Sequence, residues 1–161
     1  MLIGILSDSH GRVDPVRRAL DLFQAEKVAH VIHCGDVGGE PVLDALAGHP
    51  VSLVWGNTDF PSTTVLRYAR ALGLHLADRV PLLLELGGKK IAVFHGHEAG
   101  FSRAHETLEV DLIFYGHTHR RHDERLGDVR RINPGALHRV DRKTVALLDL
   151  ATDDLRFVEI E

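Results

Sequence analysis

Along the first half of the chain, short apolar runs take turns with apolar stripes at helical spacing. Leu2–Leu6 reads as a buried strand. Asp14-Pro15 reads as a helix start, an N-cap followed by proline at the first helical position. Val16, Ala19, Leu20 and Phe23 then fall at i, i+3, i+4 and i+7 on one helical face. Val28–His33 predicts a second strand. Pro41 opens a short helix through Val42, Leu43 and Leu46, with Gly48 to stop it. Val51–Trp55 predicts a third strand, and Ser62 caps a helix carrying Val65, Leu66, Ala69 and Leu72 that ends at Gly73.

The second half changes character. Leu82–Leu86 and Ile91–Phe94 flank Gly87-Gly88 and predict a β-hairpin. A short helix is expected over 102–109 and a strand over Leu112–Tyr115. Beyond that only strand and turn signals remain. His122–Leu126 and Val129–Asn133 are joined by Gly127-Asp128, and Val145–Leu150 and Leu155–Ile160 by a polar turn. Asn133-Pro134-Gly135-Ala136 suits a type II turn, with proline second and glycine third. Helices crowd the amino-terminal half and strands the carboxyl-terminal half. Two sheets packed face to face, with helices on the outer faces, would bury all of these stripes in one domain spanning residues 1–161.

Composition narrows the class. The chain is 44% hydrophobic and 26% charged, an ordinary balance for a globular protein. A formal net charge of −4 gives no global basic field for nucleic acid or an acidic membrane. The single cysteine, Cys34, leaves no internal disulfide and points to a reducing, cytoplasmic setting. The start, MLIGILSDSH, lacks a basic n-region, so no signal peptide is expected, and no apolar run approaches the ~20 residues that span a bilayer.

The candidate chemistry lies in five polar islands: SDSHG (7–11), CGDVGG (34–39), WGNTDF (55–60), FHGHEAG (94–100) and YGHTH (115–119). Each directly follows a predicted strand, where open α/β sheets bind ligands. Their donors are Asp8, His10, Asp36, Asn57, His95, His117 and His119. Imidazoles mixed with oxygen donors suit a first-row divalent ion and are too nitrogen-rich to favour Ca²⁺ or Mg²⁺. Seven groups are too many for one ion; with one bridging carboxylate they would serve two.

The ordered set D-x-H, G-D, G-N, H-G-H, G-H-T-H resembles the calcineurin-like metallophosphoesterase superfamily. The short length and the N-P-G turn resemble its small bacterial and archaeal phosphodiesterase branch, and the likeness runs from Asp8 to Gly135. The resemblance implies a four-layer α/β/β/α sandwich of two mixed sheets flanked by helices. It implies two divalent transition-metal ions, Mn²⁺ foremost, with Ni²⁺, Fe²⁺, Co²⁺ or Zn²⁺ as alternatives. Asp8, His10, Asp36 and His119 would hold one ion. Asp36, Asn57, His95 and His117 would hold the other, with Asp36 bridging. His117 and His119 alternate along the chain, so a loop bend must bring both inward.

The implied reaction is hydrolysis of a small phosphodiester or nucleotide-like substrate, by in-line attack of a hydroxide bridging the two ions. Asp36 and Asn57 would be its catalytic residues. Many members of the superfamily carry histidine directly after G-N, and that imidazole helps the leaving group depart. Thr58 stands there instead, so poor leaving groups are expected to react slowly, and His97 is the candidate substitute. Ala136 follows the N-P-G turn where serine is usual in the branch. A dimer or tetramer is implied by the family, with no interface to point at in the sequence.

Two other readings compete. A protein-binding scaffold of the same fold, as in a vacuolar-sorting subunit of the retromer coat, is disfavoured by the intact Asn57. A phosphomonoesterase or nuclease is disfavoured by the missing histidine at 58 and by the acidic net charge. Arg12, Arg120 and Arg121 are candidate anion contacts or solvated loop residues. Cys34 suits a small buried hydrophobe. Trp55, Phe60 and Tyr115 flank the islands and fit either pocket walls or core packing.

Overall fold

The computed structural model describes residues 1–161. It comprises β1 (Leu2–Leu6), α1 (Val13–Ala25), β2 (His30–His33), α2 (Glu40–Leu46), β3 (Val51–Leu53), α3 (Thr63–Ala71), β4 (His75–Leu76), β5 (Leu82–Leu86), β6 (Lys89–Val93), a 3-10 turn Phe101–Arg103 running into α4 (Ala104–Thr107), β7 (Leu112–Phe114), β8 (His122–Leu126), β9 (Val129–Asn133), β10 (Lys143–Asp149) and β11 (Asp154–Ile160). The strands form two mixed sheets, one ordered β11-β10-β1-β2-β3-β4 and the other β5-β6-β7-β9-β8.

Period-2 burial stacks the layers. On β1, Ile3 and Ile5 point between the sheets and meet Ile91, Phe114, Ile132 and Leu148. Leu6 points the other way, towards Val16, Leu20 and Phe23 of α1 and Leu43 and Leu46 of α2. On β7, Leu112 and Phe114 join the inter-sheet core, while Ile113 packs outward with Ala104 of α4 and with Phe94. The result is helix, sheet, sheet, helix, as expected. Gly4 has a packing role, because a Cβ there would lie 2.7 Å from the Phe23 ring. The bare backbone lets α1 sit directly on the sheet.

The structure moves several predicted boundaries. Asp14 is not the N-cap of α1. The chain turns tightly through Arg12 N–H to Ser9 O (2.8 Å), so the helix begins at Val13 with Arg12 in the cap position, and Asp14 sits in the first turn beside the positive helix end. Ser62 does cap α3, accepting from Val65 N–H at 3.2 Å. Strand β4, only two residues long, pairs in parallel with β3 and was too short to leave a periodic signal. Strand β10 starts at Lys143 because its register with β11 runs from Lys143–Ile160 to Asp149–Asp154. No helix is long and apolar enough to cross a membrane.

For function the strand directions matter most. β1, β2 and β3 are mutually parallel, as are β6, β7 and β9. Each set therefore delivers its carboxyl-terminal loops to one edge of its sheet, and these loops are the five polar islands plus the N-P-G turn.

Candidate metal centre

Five of the seven predicted donors have left-handed backbone: Asp8 (φ 54°), His10 (45°), Asp36 (53°), His117 (67°) and His119 (58°). Such φ values are uncommon outside glycine and concentrate at functional sites, at a cost of about 1–3 kcal/mol each. Bonds between loops hold these conformations. Asp8 N–H donates to Gly35 O (3.0 Å), His10 N–H to Asp36 O (2.8 Å) and Gly116 N–H to His95 O (2.8 Å). Because β7 ends at Phe114, strand alternation no longer governs His117 and His119. Left-handed turns at both positions aim both imidazoles at the same edge.

The side chains form two groups that share Asp36. In the first, ligand atoms of Asp8, His10, Asp36 and His119 all lie within 4.8 Å of one another. His10 Nε2 is 3.4 Å from Asp36 Oδ2 and 3.3 Å from His119 Nε2, and His119 Nε2 is 3.3 Å from Asp8 Oδ1. In the second, the same Asp36 Oδ2 is 3.4 Å from His95 Nε2. Asn57 Oδ1 lies 3.0 Å from both His95 Nε2 and His117 Nδ1. Two donors sharing a first-row ion at ~2.1 Å, some ~90–110° apart, would stand roughly 3.0–3.4 Å from each other.

Independent features of the site fit a cation. Asp8 is fully buried, and its Oδ1 finds no hydrogen-bond donor. Burial pushes its carboxyl above the ordinary value. His95 Nδ1 lies 2.8 Å from Cys34 O, and since a carbonyl only accepts, Nδ1 carries the hydrogen. Its Nε2 is left to face Asp36 Oδ2 at 3.4 Å. An imidazole fixed by a backbone carbonyl in this way is the usual form of a ligating histidine.

Asp36 is held from behind. Thr58 donates to Oδ1 through both its amide (2.9 Å) and its hydroxyl (2.7 Å), which leaves Oδ2 to face the imidazoles. Burial alone would raise this carboxyl. The two Thr58 bonds, with His95 and His10, outweigh burial and hold it below its ordinary value. Position 58 was read from the sequence only as a missing proton donor, and the structure gives it a positioning contact. Thr58→Val keeps the amide bond and removes the hydroxyl. It is expected to weaken metal affinity by about 10–100-fold, measured by calorimetric titration, with little change in melting temperature because the residue is exposed. Unchanged affinity would mean that the hydroxyl does not position Asp36.

Sequence reasoning missed four further supports. The Asp59 carboxylate accepts from Val37 (3.0 Å), Gly38 (2.9 Å) and Gly56 (2.9 Å) amides and ties the second island to the third. Glu98 accepts from His95 (2.8 Å) and Gly96 (2.7 Å) amides. Asn133 donates from Nδ2 to Gly116 O (2.7 Å) and accepts from Gly135 N–H (2.9 Å), joining the N-P-G turn to the His117 loop. His33, fully buried and lowered by that burial to about 3, accepts from Gly35 N–H and so donates from Nε2 to Ser9 Oγ at 2.8 Å. The signal available for Asp59 and Glu98 was a carboxylate inside a glycine-rich island full of unpaired amides.

Other candidates sort themselves. His97 is exposed at the rim, its ring 5.4 Å from that of His95 and 6.2 Å from that of His117, with Nδ1 3.9 Å from Glu98. Tyr115 is buried against Phe101 (rings 4.8 Å apart) and packs in the core, while Phe60 is 90% exposed. Cys34 packs between the sheets, and burial pushes its thiol up. A cavity of about 720 Å³ is lined by Lys90, Asp111 and Val129, at the amino ends of β6, β7 and β9. It lies on the sheet edge opposite the donors and gathers none of them.

The chain is similar to known proteins over its whole length. The calcineurin-like phosphoesterase superfamily domain matches residues 1–153. A phosphodiesterase of Methanocaldococcus jannaschii is 28% identical over the whole of both chains. A probable metallophosphoesterase of Bacillus subtilis is 34% identical, over 95% of this chain and 86% of its own. Among solved structures, an archaeal phosphodiesterase superposes with a TM-score of 0.90 at 28% identity, over 99% of each chain.

Proposed function

The chain belongs to the calcineurin-like phosphoesterase superfamily, and on that premise we propose that it is a metal-dependent phosphoric ester hydrolase acting on a small phosphodiester at a two-ion centre. The observation that carries this reading is the convergence of two donor groups on one carboxylate oxygen, Asp36 Oδ2, 3.4 Å from an imidazole of each. Asp8, His10, Asp36 and His119 would hold one ion. Asp36, Asn57, His95 and His117 would hold the other. The mixed imidazole and oxygen donors suit a first-row divalent ion, and the family resemblance puts Mn²⁺ foremost, with Fe²⁺, Co²⁺, Ni²⁺ or Zn²⁺ as competitors.

When bound, the ions would supply positive charge for a phosphate and the Lewis acidity that lowers the pKa of water from ~16 towards ~7. The chain's own residues do the rest. Asn57 turns Oδ1 to His95 and His117, and its Nδ2, unpaired within the chain, is free to donate to a phosphoryl oxygen. Thr58 fixes Asp36, and Glu98 fixes the turn that carries His95. No imidazole follows Asn57 to protonate a leaving group, which favours diesters with good leaving groups. The buried thiol of Cys34 suits a reducing cytoplasm.

The test is hydrolysis by the manganese-loaded protein of bis(p-nitrophenyl) phosphate against p-nitrophenyl phosphate, with metal counted per chain. The expected result is about two ions per chain and a higher kcat/KM on the diester. An inert, metal-loaded sample would overturn the enzymatic reading and leave the scaffold. His97 is the proposed leaving-group acid. His97→Ala is expected to slow alkyl phosphodiesters by on the order of a hundredfold and to spare nitrophenyl esters, whose leaving group needs no proton. Equal effects on both substrates would remove that role from His97.

A further inference from the structure

Away from the metal centre, three polar side chains meet on the first sheet, on the face that looks towards the second. Ser52 of β3 is fully buried, and its Oγ lies 2.9 Å from His30 Nε2 on β2 and 3.0 Å from His75 Nδ1 on β4. The register explains the meeting. Ser52 stands opposite His75 on one side and Ile32 on the other, and Ile32 shares its face with His30 through the period-2 alternation of a strand. The neighbours on that face, Ile32, Val54 and Ala77, are apolar.

The segment that this cluster fastens has little else to hold it. Strand β4 is the edge of its sheet and pairs with β3 only through Ser52–His75 and Leu53–Leu76. In α3, which leads into β4, only Ala69 is buried. Hydrogen counting fixes what the cluster tolerates. A serine hydroxyl has one hydrogen and two lone pairs. With at most one ring protonated, Ser52 donates to one imidazole and accepts from the other. With both protonated, each ring donates to Oγ, the serine hydrogen finds no acceptor in either ring, and two cations flank one buried oxygen.

No carboxylate offsets that charge. The histidines within ion-pairing reach of one are His10, His95, His97, His105, His119 and His122. Asp78, just beyond β4, is spent on Arg70 of α3 at 2.8 Å, and Ile3, the β1 partner of His30, is apolar. Burial, and then the charge of His75, hold His30 below the ordinary histidine value.

We propose that His30, Ser52 and His75 form a proton-sensitive latch, which holds the α3–β4 segment to the sheet and releases it when both imidazoles are protonated. The latch operates whether or not the metal centre is catalytic. A ring that is harder to protonate in the folded than in the unfolded chain contributes stability that is complete above about pH 6.5 and is lost as the pH falls below it. The segment is therefore fastened at neutral pH and loosened in mild acid.

Hydrogen–deuterium exchange on the manganese-loaded protein tests this, read by mass spectrometry at about pH 7.5 and about pH 5.5 and corrected for the intrinsic pH dependence of exchange. Peptides covering residues 63–77 are expected to lose protection by on the order of tenfold at the lower pH, the linkage of one proton over about one pH unit, while β1 and β6 keep theirs. Ser52→Ala is expected to expose the segment at both pH values. His75→Asn puts a non-titrating amide beside Ser52 and leaves every other titrating group in place, the imidazoles of the metal centre included. Loss of the pH dependence in that variant, at whatever level of protection, supports the latch. Wild-type protection that is unchanged in acid, or a pH dependence that persists in full in His75→Asn, overturns it.

Discussion

Asp36→Asn is expected to empty the proposed centre of both ions and to lower diester hydrolysis by on the order of 10³-fold, about 4 kcal/mol of transition-state stabilisation. The expectation follows from how the carboxylate is held. Oδ1 accepts two hydrogen bonds from Thr58, and Oδ2 stands 3.4 Å from the His10 and His95 Nε2 atoms. An amide has only one acceptor oxygen. Thr58 offers two donors, so the oxygen of asparagine is drawn to the Oδ1 position. Its NH₂ then occupies the Oδ2 position and points hydrogens at the place where the cations belong. The variant thus loses the only atom common to both donor groups, while shape and packing are nearly unchanged. Metal analysis and kinetics on the same sample decide the matter. Two ions and full activity in Asp36→Asn would sink the bridged two-ion reading. Loss of one ion alone would show that the groups are independent.

Much of this was legible in the sequence, for a physical reason. Strands β1, β5, β8 and β9 match the predicted bounds, since each is a run closed by turn residues, and closure is a local property. The donors were legible because each sits in a glycine-bearing island straight after a strand. What supports the donors was not. Asp59 works by reaching amides 21 and 22 residues away, and no local pattern names such partners. His33 reads as one more strand residue, yet it links Ser9 to the second island through a neutral ring. The left-handed backbone at Asp8, His10 and Asp36 is likewise set by bonds between loops, not by residue type. Helix α1 shows the converse error. Asp14-Pro15 carries a standard start signal, but the turn at Ser9–Arg12 launches the helix at Val13.

The glycines of the islands yield the second large effect, and it separates close approach from mere flexibility. A Cβ built on Gly56 would lie 2.1 Å from Asp36 Oδ1 and 2.4 Å from the Asp36 backbone nitrogen. Contacts under 3.0 Å essentially never occur for a real Cβ, so something must move. Rotating the Asp36 side chain relieves only the first contact. The second is with backbone held by the bond from His10 N–H to Asp36 O and by the Asp59 clamp on Val37 and Gly38. Gly56→Ala must therefore push the second and third islands apart. The expected cost is about 1–3 kcal/mol in folding stability, as for overpacking elsewhere. A displacement of Asp36 by ~1 Å is expected to cost on the order of a hundredfold in kcat/KM. Gly100→Ala is the matched control, for Gly100 has φ −84° and nothing within 4 Å of its built Cβ. It should leave melting temperature, metal content and rate within error of wild type. If Gly56→Ala behaves like Gly100→Ala, the loops at the sheet edges are loose enough to absorb a methyl group. The dense packing of Asp36 against Gly56 would then not be what sets the geometry of the centre.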